Sequence, residues 1–169
     1  MNSIDTSVRL VLQKKANAIV TNPINKFIMK SVNFKFNGHT EYLGYLSKFN
    51  KQPIMMLEAD KLRVVPLTTH IPLSSVPQKL NAKMIIKKIS ILNKELTEIY
   101  KINKPKIFVS ALNPHSGDGG KIGKEEITII NPAIKKLQEL GLNVKGPFPG
   151  DTLFQKDKIK EYDVAVCMY

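Results

Sequence analysis

Two of the three histidines in this chain follow runs of residues that are typical of buried strands. His70 comes after LRVVPLTT, and His115 comes after KIFVSALNP. Open α/β sheets bind ligands beyond the carboxyl ends of their strands, so both imidazoles are predicted at that edge. Neutral imidazole is a common ligand for zinc and similar divalent ions. The alternative is a capping or structural role for each histidine, because residues this far apart in sequence can meet only through the fold.

The loop that carries His115 has the sequence LNPHSGDGGKIG and joins a predicted strand to a predicted helix. Its glycines Gly117, Gly119 and Gly120 would let backbone N–H groups approach an anion, such as a cofactor phosphate. Their spacing differs from the Gly-x-Gly-x-x-Gly fingerprint of dinucleotide-binding folds. The alternative is a flexible connection, but the presence of His115 and Asp118 in the same loop favours a site.

Three further positions carry polar or reactive groups. Asp151 follows GPFPG and could act as a general base, or alternatively as the N-cap of a helix over residues 152–156. His39 lies in NGHTE before a short predicted helix, for which Thr40 is the predicted N-cap. Cys167 lies in an apolar strand, where we expect inert packing.

The elements that must position these residues alternate between helices and strands. This order predicts an α/β fold with a mostly parallel sheet flanked by helices. The predicted helices cover residues 3–15, 41–47, 81–100 and 124–140. The predicted strands cover residues 18–21, 54–58, 62–68, 106–111, 143–145 and 162–168.

Some single residues within these elements allow sharper predictions. In the helix over 81–100, one apolar stripe is expected from Ile85, Ile89, Leu92, Leu96 and Ile99.

Prolines and glycines limit the other elements. Pro66 cannot donate to a ladder, so its strand is predicted to be bulged or at an edge. Pro132 should kink or split the helix over 124–140, and Gly141 should end that helix. Glu125 and Glu126 lie in its first turn, where they favour the helix dipole.

Length and composition indicate one folded domain. The chain has 169 residues, 43% of them hydrophobic, and no apolar run approaches the ~20 residues that span a membrane. No secretory signal is recognisable at the start of the sequence. The single cysteine excludes an intrachain disulfide and a zinc site built from several cysteines. We therefore expect a cytoplasmic protein without a membrane partner.

The net charge of +12 invites an interpretation as a nucleic-acid-binding protein. Only Arg9 and Arg63 among the 26 basic residues are arginines, however, and base readout favours the bidentate arginine fork. The lysines are scattered among many isoleucines and asparagines, as a compositional bias would produce. No nucleic-acid partner is expected.

Longer stretches of the sequence resemble one enzyme family over almost the whole chain. The segment SALNPHSGDGGKIGKEEITIINPAIKKLQELGLNVKGPFPGDTLF resembles the family signature. AIVTNPINK, NGHTEYL and LRVVPLTTHIPL resemble further family blocks in the same order, and YDVAVCMY resembles a strand that leads into a His-Asp-Gln motif. On these motifs the chain is identified as a member of the 4-hydroxythreonine-4-phosphate dehydrogenase family of pyridoxal phosphate biosynthesis.

The resemblance implies an oxidation that depends on NAD and on a divalent metal, namely zinc, magnesium or cobalt. The substrate would be 4-phosphohydroxy-L-threonine, and the product 2-amino-3-oxo-4-phosphohydroxybutyrate would decarboxylate to 3-amino-2-oxopropyl phosphate. The implied protein is a homodimer with the metal at the subunit interface and NAD in an interdomain cleft. By matching positions, His70 and His115 would be the first two metal ligands, His39 and Thr40 would contact substrate, and Asp151 would be an acid/base residue.

The resemblance also implies an isopropylmalate-dehydrogenase-like fold that is incomplete relative to the family. Residues 1–169 would form the central portion of a family subunit, with no internal domain boundary. The family's Gly-Asp-Pro-Ala-Gly strand has no counterpart here, and the third metal histidine would follow directly after Tyr169. Two alternatives are a non-catalytic remnant that acts as a dimerising, metal-binding module, and a related dehydrogenase of another four-carbon phosphorylated hydroxy acid.

Overall fold

The computed structural model describes residues 2–31, 34–36, 38–48 and 53–169. The chain divides into two compact units, Met1–Pro53 and Ile54–Tyr169. None of the helices in the described ranges is long and apolar enough to cross a membrane.

The first unit contains helices α1 (Asn2–Leu12), α2 (Lys26–Ser31) and α3 (His39–Leu46). The predicted helices at its two ends are confirmed, but the predicted strand over residues 18–21 is wrong. Val20 is 98% exposed, and the described part of this unit has no strand that could satisfy the hydrogen-bonding groups of an extended segment.

The start of α3 also differs from the prediction. The helix begins at His39 with Gly38 at the N-cap position, and no side chain caps it. Thr40 therefore lies inside the first turn, and its predicted role as N-cap is wrong. Thr40 is the second residue of the helix, two positions beyond the N-cap, so it lacks the non-helical backbone that an N-cap residue has.

An aromatic cluster holds α3 within the first unit. Tyr42 is buried, and its ring lies 5.1 Å from the rings of both Phe34 and Phe36. Its hydroxyl donates a hydrogen bond to Asp5 on α1. That hydrogen bond, together with burial and the charge of Asp5, raises the pKa of Tyr42 to about 12.

We expect Tyr42→Phe to lower the free energy of unfolding by about 1–2 kcal/mol at neutral pH, because the partly buried carboxylate of Asp5 loses its donor. The pKa of the folded phenol lies above that of the unfolded one, so this stabilisation is complete below about pH 10 and is lost as pH rises towards about 12. Urea unfolding of both proteins at several pH values measures the difference. Tyr45→Phe is the matched control, because Tyr45 is 67% exposed; an equal loss in both variants would contradict the prediction.

The second unit is built on a five-stranded sheet of order β1-β2-β5-β3-β4. Its strands are β1 (Leu57–Ala59), β2 (Leu62–Pro66), β3 (Ile107–Ser110), β4 (Val144–Phe148) and β5 (Val164–Cys167). Strands β2, β5, β3 and β4 run parallel, and only β1 pairs antiparallel with β2. The predicted α/β class with a mostly parallel sheet is confirmed.

Strand β2 is not an edge strand of the described sheet, but at Pro66 it has no partner on the β1 side, so the predicted edge position is confirmed locally. Strand β2 has β1 on one side and β5 on the other, and Pro66 lies in register with Cys167 of β5. The pairing of β1 with β2 reaches only from Leu62 to Val64. The ring nitrogen of Pro66 therefore costs no ladder hydrogen bond on the β1 side.

Both faces of the central strands β5 and β3 are buried, as expected for parallel strands. Val164 and Val166 of β5 join the larger apolar core, whereas Ala165 between them joins a smaller cluster with Phe108 on the other face. This alternation follows from the two-residue period of a strand.

Helices α4 (Val76–Lys79), α5 (Ala82–Glu98), α6 (Asn131–Glu139) and α7 (Gly150–Leu153) accompany the sheet. Four of the five predicted stripe residues of α5 are buried, namely Ile85, Ile89, Leu92 and Leu96. Ile99 is 67% exposed, because α5 ends at Glu98 and Ile99 takes the C-cap position.

The helix over 124–140 changes type near Pro132 and does not break there. A π-helix, Glu126–Ile130, continues directly into α6, in which Pro132 occupies the first turn. Proline has no N–H and cannot complete an α-helical ladder at this position. Gly141 follows with a φ of +81°, which ends α6 as predicted.

Candidate functional site

The carboxyl ends of four parallel strands meet at one edge of the sheet. His70 follows β2, His115 follows β3 and Asp151 follows β4, while β5 ends between the first two. Neighbouring strands lie about 4.8 Å apart, so β2 and β3 are separated by about 10 Å. The structure therefore places both predicted metal-ligand histidines at the same edge, on either side of β5.

The segment that leads from β2 to His70 is fixed to β5. The backbone N–H of Leu67 donates to the carbonyl of Cys167 at 2.8 Å, and Thr68 donates to the carbonyl of Met168 through its N–H at 3.1 Å and its hydroxyl at 2.7 Å. His70 itself is exposed and has a φ of +58°. An exposed imidazole on an anchored segment is available to a ligand.

Lys88 on α5 ties the same segment to the helix layer. Its ammonium group donates a hydrogen bond to the carbonyl of Leu67, and burial lowers the pKa of Lys88. A half-buried ammonium thus lies near the carboxyl end of β2.

We expect Lys88→Met to remove a specific pH dependence of stability. Between the lowered pKa of folded Lys88 and its ordinary value of 10.5, the unfolded chain binds more protons, so wild-type stability gains with rising pH. The difference in free energy of unfolding between wild type and Lys88→Met should therefore increase towards pH 10.5, as measured by urea unfolding. The exposed neighbour provides the control variant Lys87→Met, and parallel pH profiles for wild type and Lys88→Met would contradict the prediction.

The loop after β3 contains a left-handed turn. Residues His115 to Gly119 have φ values of 50°, 55°, 80°, 43° and 63°, and only two of the five are glycines. Left-handed backbone costs free energy for residues with a Cβ, and such strain clusters at functional sites. Both candidate ligand histidines, His70 and His115, have this rare conformation.

A buried carboxylate holds the start of this loop. Glu126 is 2% exposed, and its Oε1 accepts hydrogen bonds from the N–H groups of Leu112 and Asn113, each at 2.8 Å. Its Oε2 accepts from Nδ2 of Asn113 at 2.9 Å. Glu125 also accepts from that amide at 2.8 Å, and this hydrogen bond lowers the pKa of Glu125.

Sequence reasoning placed Glu125 and Glu126 in a first turn and missed the burial of Glu126. No signal in the sequence separates these two adjacent glutamates. Their difference arises from the path of the loop, which brings two backbone donors over Glu126 only.

Close packing inside the loop explains why two of the three candidate cofactor-binding positions, Gly117 and Gly120, carry glycine. A Cβ on Gly117 would lie 2.7 Å from the carbonyl of Gly123 and 2.8 Å from Oε2 of Glu126, and one on Gly120 would lie 3.1 Å from Ile127. A Cβ on Gly119 would meet nothing within 4 Å. Gly119 is therefore the one of the three that faces open space.

Asp151 is exposed and lies in the first turn of α7, which begins at Gly150 with Pro149 at the cap position. The alternative role of Asp151 as an N-cap is therefore wrong, since proline precedes the helix directly. Cys167 at the end of β5 is partly buried, and burial raises the pKa of its thiol. A thiol that stays protonated is a poor nucleophile and metal ligand, as expected for inert packing.

His39 and Thr40 lie in the first turn of α3 in the first unit. Nε2 of His39 and Oε2 of Glu41 are buried, and neither has a hydrogen-bond partner among the described residues. Buried polar atoms without a partner are rare in native structures. A hydrogen-bonding group that reached these two atoms would satisfy them.

The donor set at the sheet edge fits part of a divalent-metal site. His70 and His115 offer two exposed imidazoles, the ligand type that zinc and cobalt favour. Within the residues that the structure describes, no three His, Cys, Asp or Glu side chains form a group that could hold a metal ion. A complete ligand set would need donors in addition to these two.

Comparison with known proteins gives a consistent result along the whole sequence. Residues 1–169 match the family model described as "Pyridoxal phosphate biosynthetic protein PdxA". A 4-hydroxythreonine-4-phosphate dehydrogenase of Bradyrhizobium diazoefficiens is 42% identical over 170 residues, which cover 99% of this chain and 49% of the relative. The corresponding protein of Wigglesworthia glossinidia brevipalpis is 40% identical over 169 residues, covering 100% of this chain and 51% of the relative.

The solved structures show the same relationship. The crystal structure of 4-hydroxythreonine-4-phosphate dehydrogenase from Klebsiella pneumoniae superimposes with a TM-score of 0.86 at 35% identity. The match covers 98% of this chain and 50% of that one. The chain thus spans about half the length of the relatives that it matches.

Proposed function

Because this chain belongs to the family of the pyridoxal phosphate biosynthetic protein PdxA, we propose that it serves the NAD-dependent oxidation of 4-phosphohydroxy-L-threonine. The product, 2-amino-3-oxo-4-phosphohydroxybutyrate, would lose its carboxylate to give 3-amino-2-oxopropyl phosphate. The relatives named above are dehydrogenases of this substrate class by name, and the chain covers about half of their length. The proposed assembly is a homodimer, which the family resemblance implies.

One observation carries the proposal: His70 and His115 lie at the same carboxyl edge of the sheet, exposed and in left-handed backbone, on either side of β5. In the proposal these two imidazoles hold a divalent cation. The cation would act as a Lewis acid towards the oxygen of the substrate that is oxidised. The hydrogen bonds of Leu67 and Thr68 to β5 and the residue after it support the role of His70, because they fix the segment that carries it.

His39 and Thr40 are proposed to bind the substrate. The unpartnered Nε2 of His39 supports this role, since a phosphate or carboxylate oxygen would satisfy it when the imidazole presents an N–H there. Asp151 is proposed to act as an acid/base residue, whose carboxylate accepts the proton of the substrate hydroxyl. Its exposure at the end of β4 supports that role, because the proton must reach solvent.

NAD is the proposed hydride acceptor. Gly119 is the proposed contact within the glycine loop, because a side chain there would point into open space, whereas Gly117 and Gly120 are packed against the following helical turn. A phosphate group of the cofactor could approach the backbone at Gly119 without displacing protein atoms.

The test follows NADH absorbance with 4-phosphohydroxy-L-threonine, NAD and Zn²⁺. The chain is assayed alone and after co-expression with the coding sequence that flanks it, since it spans about half of its relatives. We expect NADH formation in the co-expressed sample, and its loss when that sample carries His115→Asn. A four-carbon sugar acid phosphate in place of the substrate tests for a related dehydrogenase.

Three other results would decide against parts of the proposal. NADH formed only with the sugar acid phosphate would replace the proposed substrate. Zn²⁺ binding without NADH in either sample would favour a non-catalytic metal-binding module. Absence of both Zn²⁺ binding and NADH in folded protein would overturn the proposal.

A further inference from the structure

We propose that Glu126 is a positioning residue that fixes the orientation of His115, and this inference rests on the proposed role of His115 as a metal ligand. Glu126 contacts neither a ligand nor the imidazole in the described part of the chain. It acts instead on the backbone before the left-handed turn and at Gly117 within that turn, that is, on both sides of the histidine.

The first contact lies before the turn. Oε1 of Glu126 accepts the N–H groups of Leu112 and Asn113, just beyond the end of β3, and Oε2 accepts Nδ2 of Asn113. Two neighbouring backbone donors that share one carboxylate oxygen fix the direction in which the chain leaves the strand. Asn113 lies two positions before His115, so this direction sets where the turn begins.

The second contact lies after the histidine. Gly117 packs so closely over Glu126 that a Cβ there would lie 2.8 Å from Oε2. The hydrogen bond from Ile122 to the carbonyl of Gly117, at 3.1 Å, closes the loop behind it. The same carboxylate therefore touches both ends of the segment that contains His115.

The chemistry of the site requires a carboxylate and not merely a polar side chain. All three hydrogen bonds to the Glu126 carboxylate come from N–H donors, and an ionised carboxylate offers only acceptors. A glutamine would turn an NH₂ group towards at least one of these donors. Glu126 also begins a π-helix, a form that occurs mostly as single turns and frequently at functional sites.

The experiment compares wild type, Glu126→Gln and the matched control Glu125→Gln in the chain of 169 residues. Glu125 accepts the side-chain amide of Asn113 and backbone N–H groups at Lys124 and Glu125, but not the N–H groups of Leu112 and Asn113, which donate to Glu126. Zn²⁺ is titrated while NMR follows the imidazole resonances of the three histidines, and hydrogen exchange is measured at the N–H groups of Leu112 and Asn113.

We expect Glu126→Gln to lose exchange protection at Leu112 and Asn113 and to bind Zn²⁺ at His115 about 10- to 100-fold more weakly, the usual effect of losing a partner that orients a metal ligand. Glu125→Gln should retain both properties, and the resonances of His39 serve as an internal reference. Wild-type Zn²⁺ affinity in Glu126→Gln would overturn the inference, because the carboxylate would then stabilise the loop without positioning the histidine.

If Glu126→Gln does not fold, Glu126→Asp decides the question by the same measurements. It keeps the charge and both oxygens but is one methylene shorter, so weakened Zn²⁺ binding by folded protein supports the inference and wild-type affinity overturns it. If the His115 resonance of the wild-type protein does not shift with Zn²⁺, both the proposed function and the inference are contradicted. If it shifts in the wild type and shifts equally in Glu126→Gln, only the inference is contradicted.

Discussion

Replacement of His115 by asparagine is expected to weaken Zn²⁺ binding by more than about 100-fold, because the loss of a ligand should exceed the 10- to 100-fold effect of losing an outer-shell partner. Asparagine is the informative replacement. It tolerates left-handed backbone better than most residues, so the φ of +50° at this position can persist without the imidazole. The variant therefore tests the ligand and leaves the turn in place.

Isothermal titration with Zn²⁺ measures this loss, and His70→Asn should produce an equal one. His39→Asn is the control, because His39 belongs to the first unit and is proposed to contact substrate. Circular dichroism verifies that each variant is folded. Unchanged Zn²⁺ affinity in both His115→Asn and His70→Asn would remove the basis for a metal centre at this edge.

Substitution of Gly146 by alanine is expected to lower the free energy of unfolding by about 3–5 kcal/mol, from backbone strain and steric overlap combined. Gly146 has a φ of +136°, and a Cβ there would lie 2.4 Å from the carbonyl oxygen of Val109. That oxygen belongs to the backbone of β3, at the irregular part of its pairing with β4. Neither strand can move away without breaking ladder hydrogen bonds.

Two other glycines separate the causes of this effect. Gly141→Ala adds a Cβ at a φ of +81° but meets nothing within 4 Å, so we expect a loss of about 1 kcal/mol from strain alone. Gly150→Ala meets nothing within 4 Å and has no positive φ, so little change is expected. Urea unfolding followed by circular dichroism ranks the three. Equal losses at Gly146 and Gly141 would show that contact with Val109 is unimportant.

The sequence predicted the sheet-forming unit well, because its elements bury regular apolar patterns. The stripe from Ile85 to Leu96 recurs at helical spacing, and the apolar runs before His70 and His115 have the length and residue types of buried strands. Ile99 continues that period but lies beyond the end of the helix. Periodicity alone does not reveal where a helix ends.

The failures have a common physical origin in non-local contacts. The segment around Val20 has the residue types of a strand, but a strand needs a neighbouring strand. The described residues of that unit contain no such neighbour, and the sequence alone does not reveal this. Proline is excluded only from strand positions whose N–H must donate to a neighbouring strand. The sequence did not reveal that the pairing with β1 ends at Val64, before Pro66.

The positions of the two candidate ligands were predictable, but the contacts that support them were not. The positions of His70 and His115 follow from strand ends alone. The left-handed turn and the burial of Glu126 depend on how loop, helix and strand fit together. The metal, substrate and cofactor roles of these residues remain predictions, for which the experiments above are the tests.

Strand β5 comes after the four other strands of the described sheet in the sequence. In the sheet, however, it lies between β2 and β3 and joins the two halves. During synthesis, the β1–β2 hairpin and the β3–β4 pair are therefore complete before the strand that joins them leaves the ribosome. Until then each half exposes an unpaired strand edge, which invites association with other nascent chains. The late arrival of residues 164–167 makes this a protein whose yield in the cell should depend on chaperones that shield such edges.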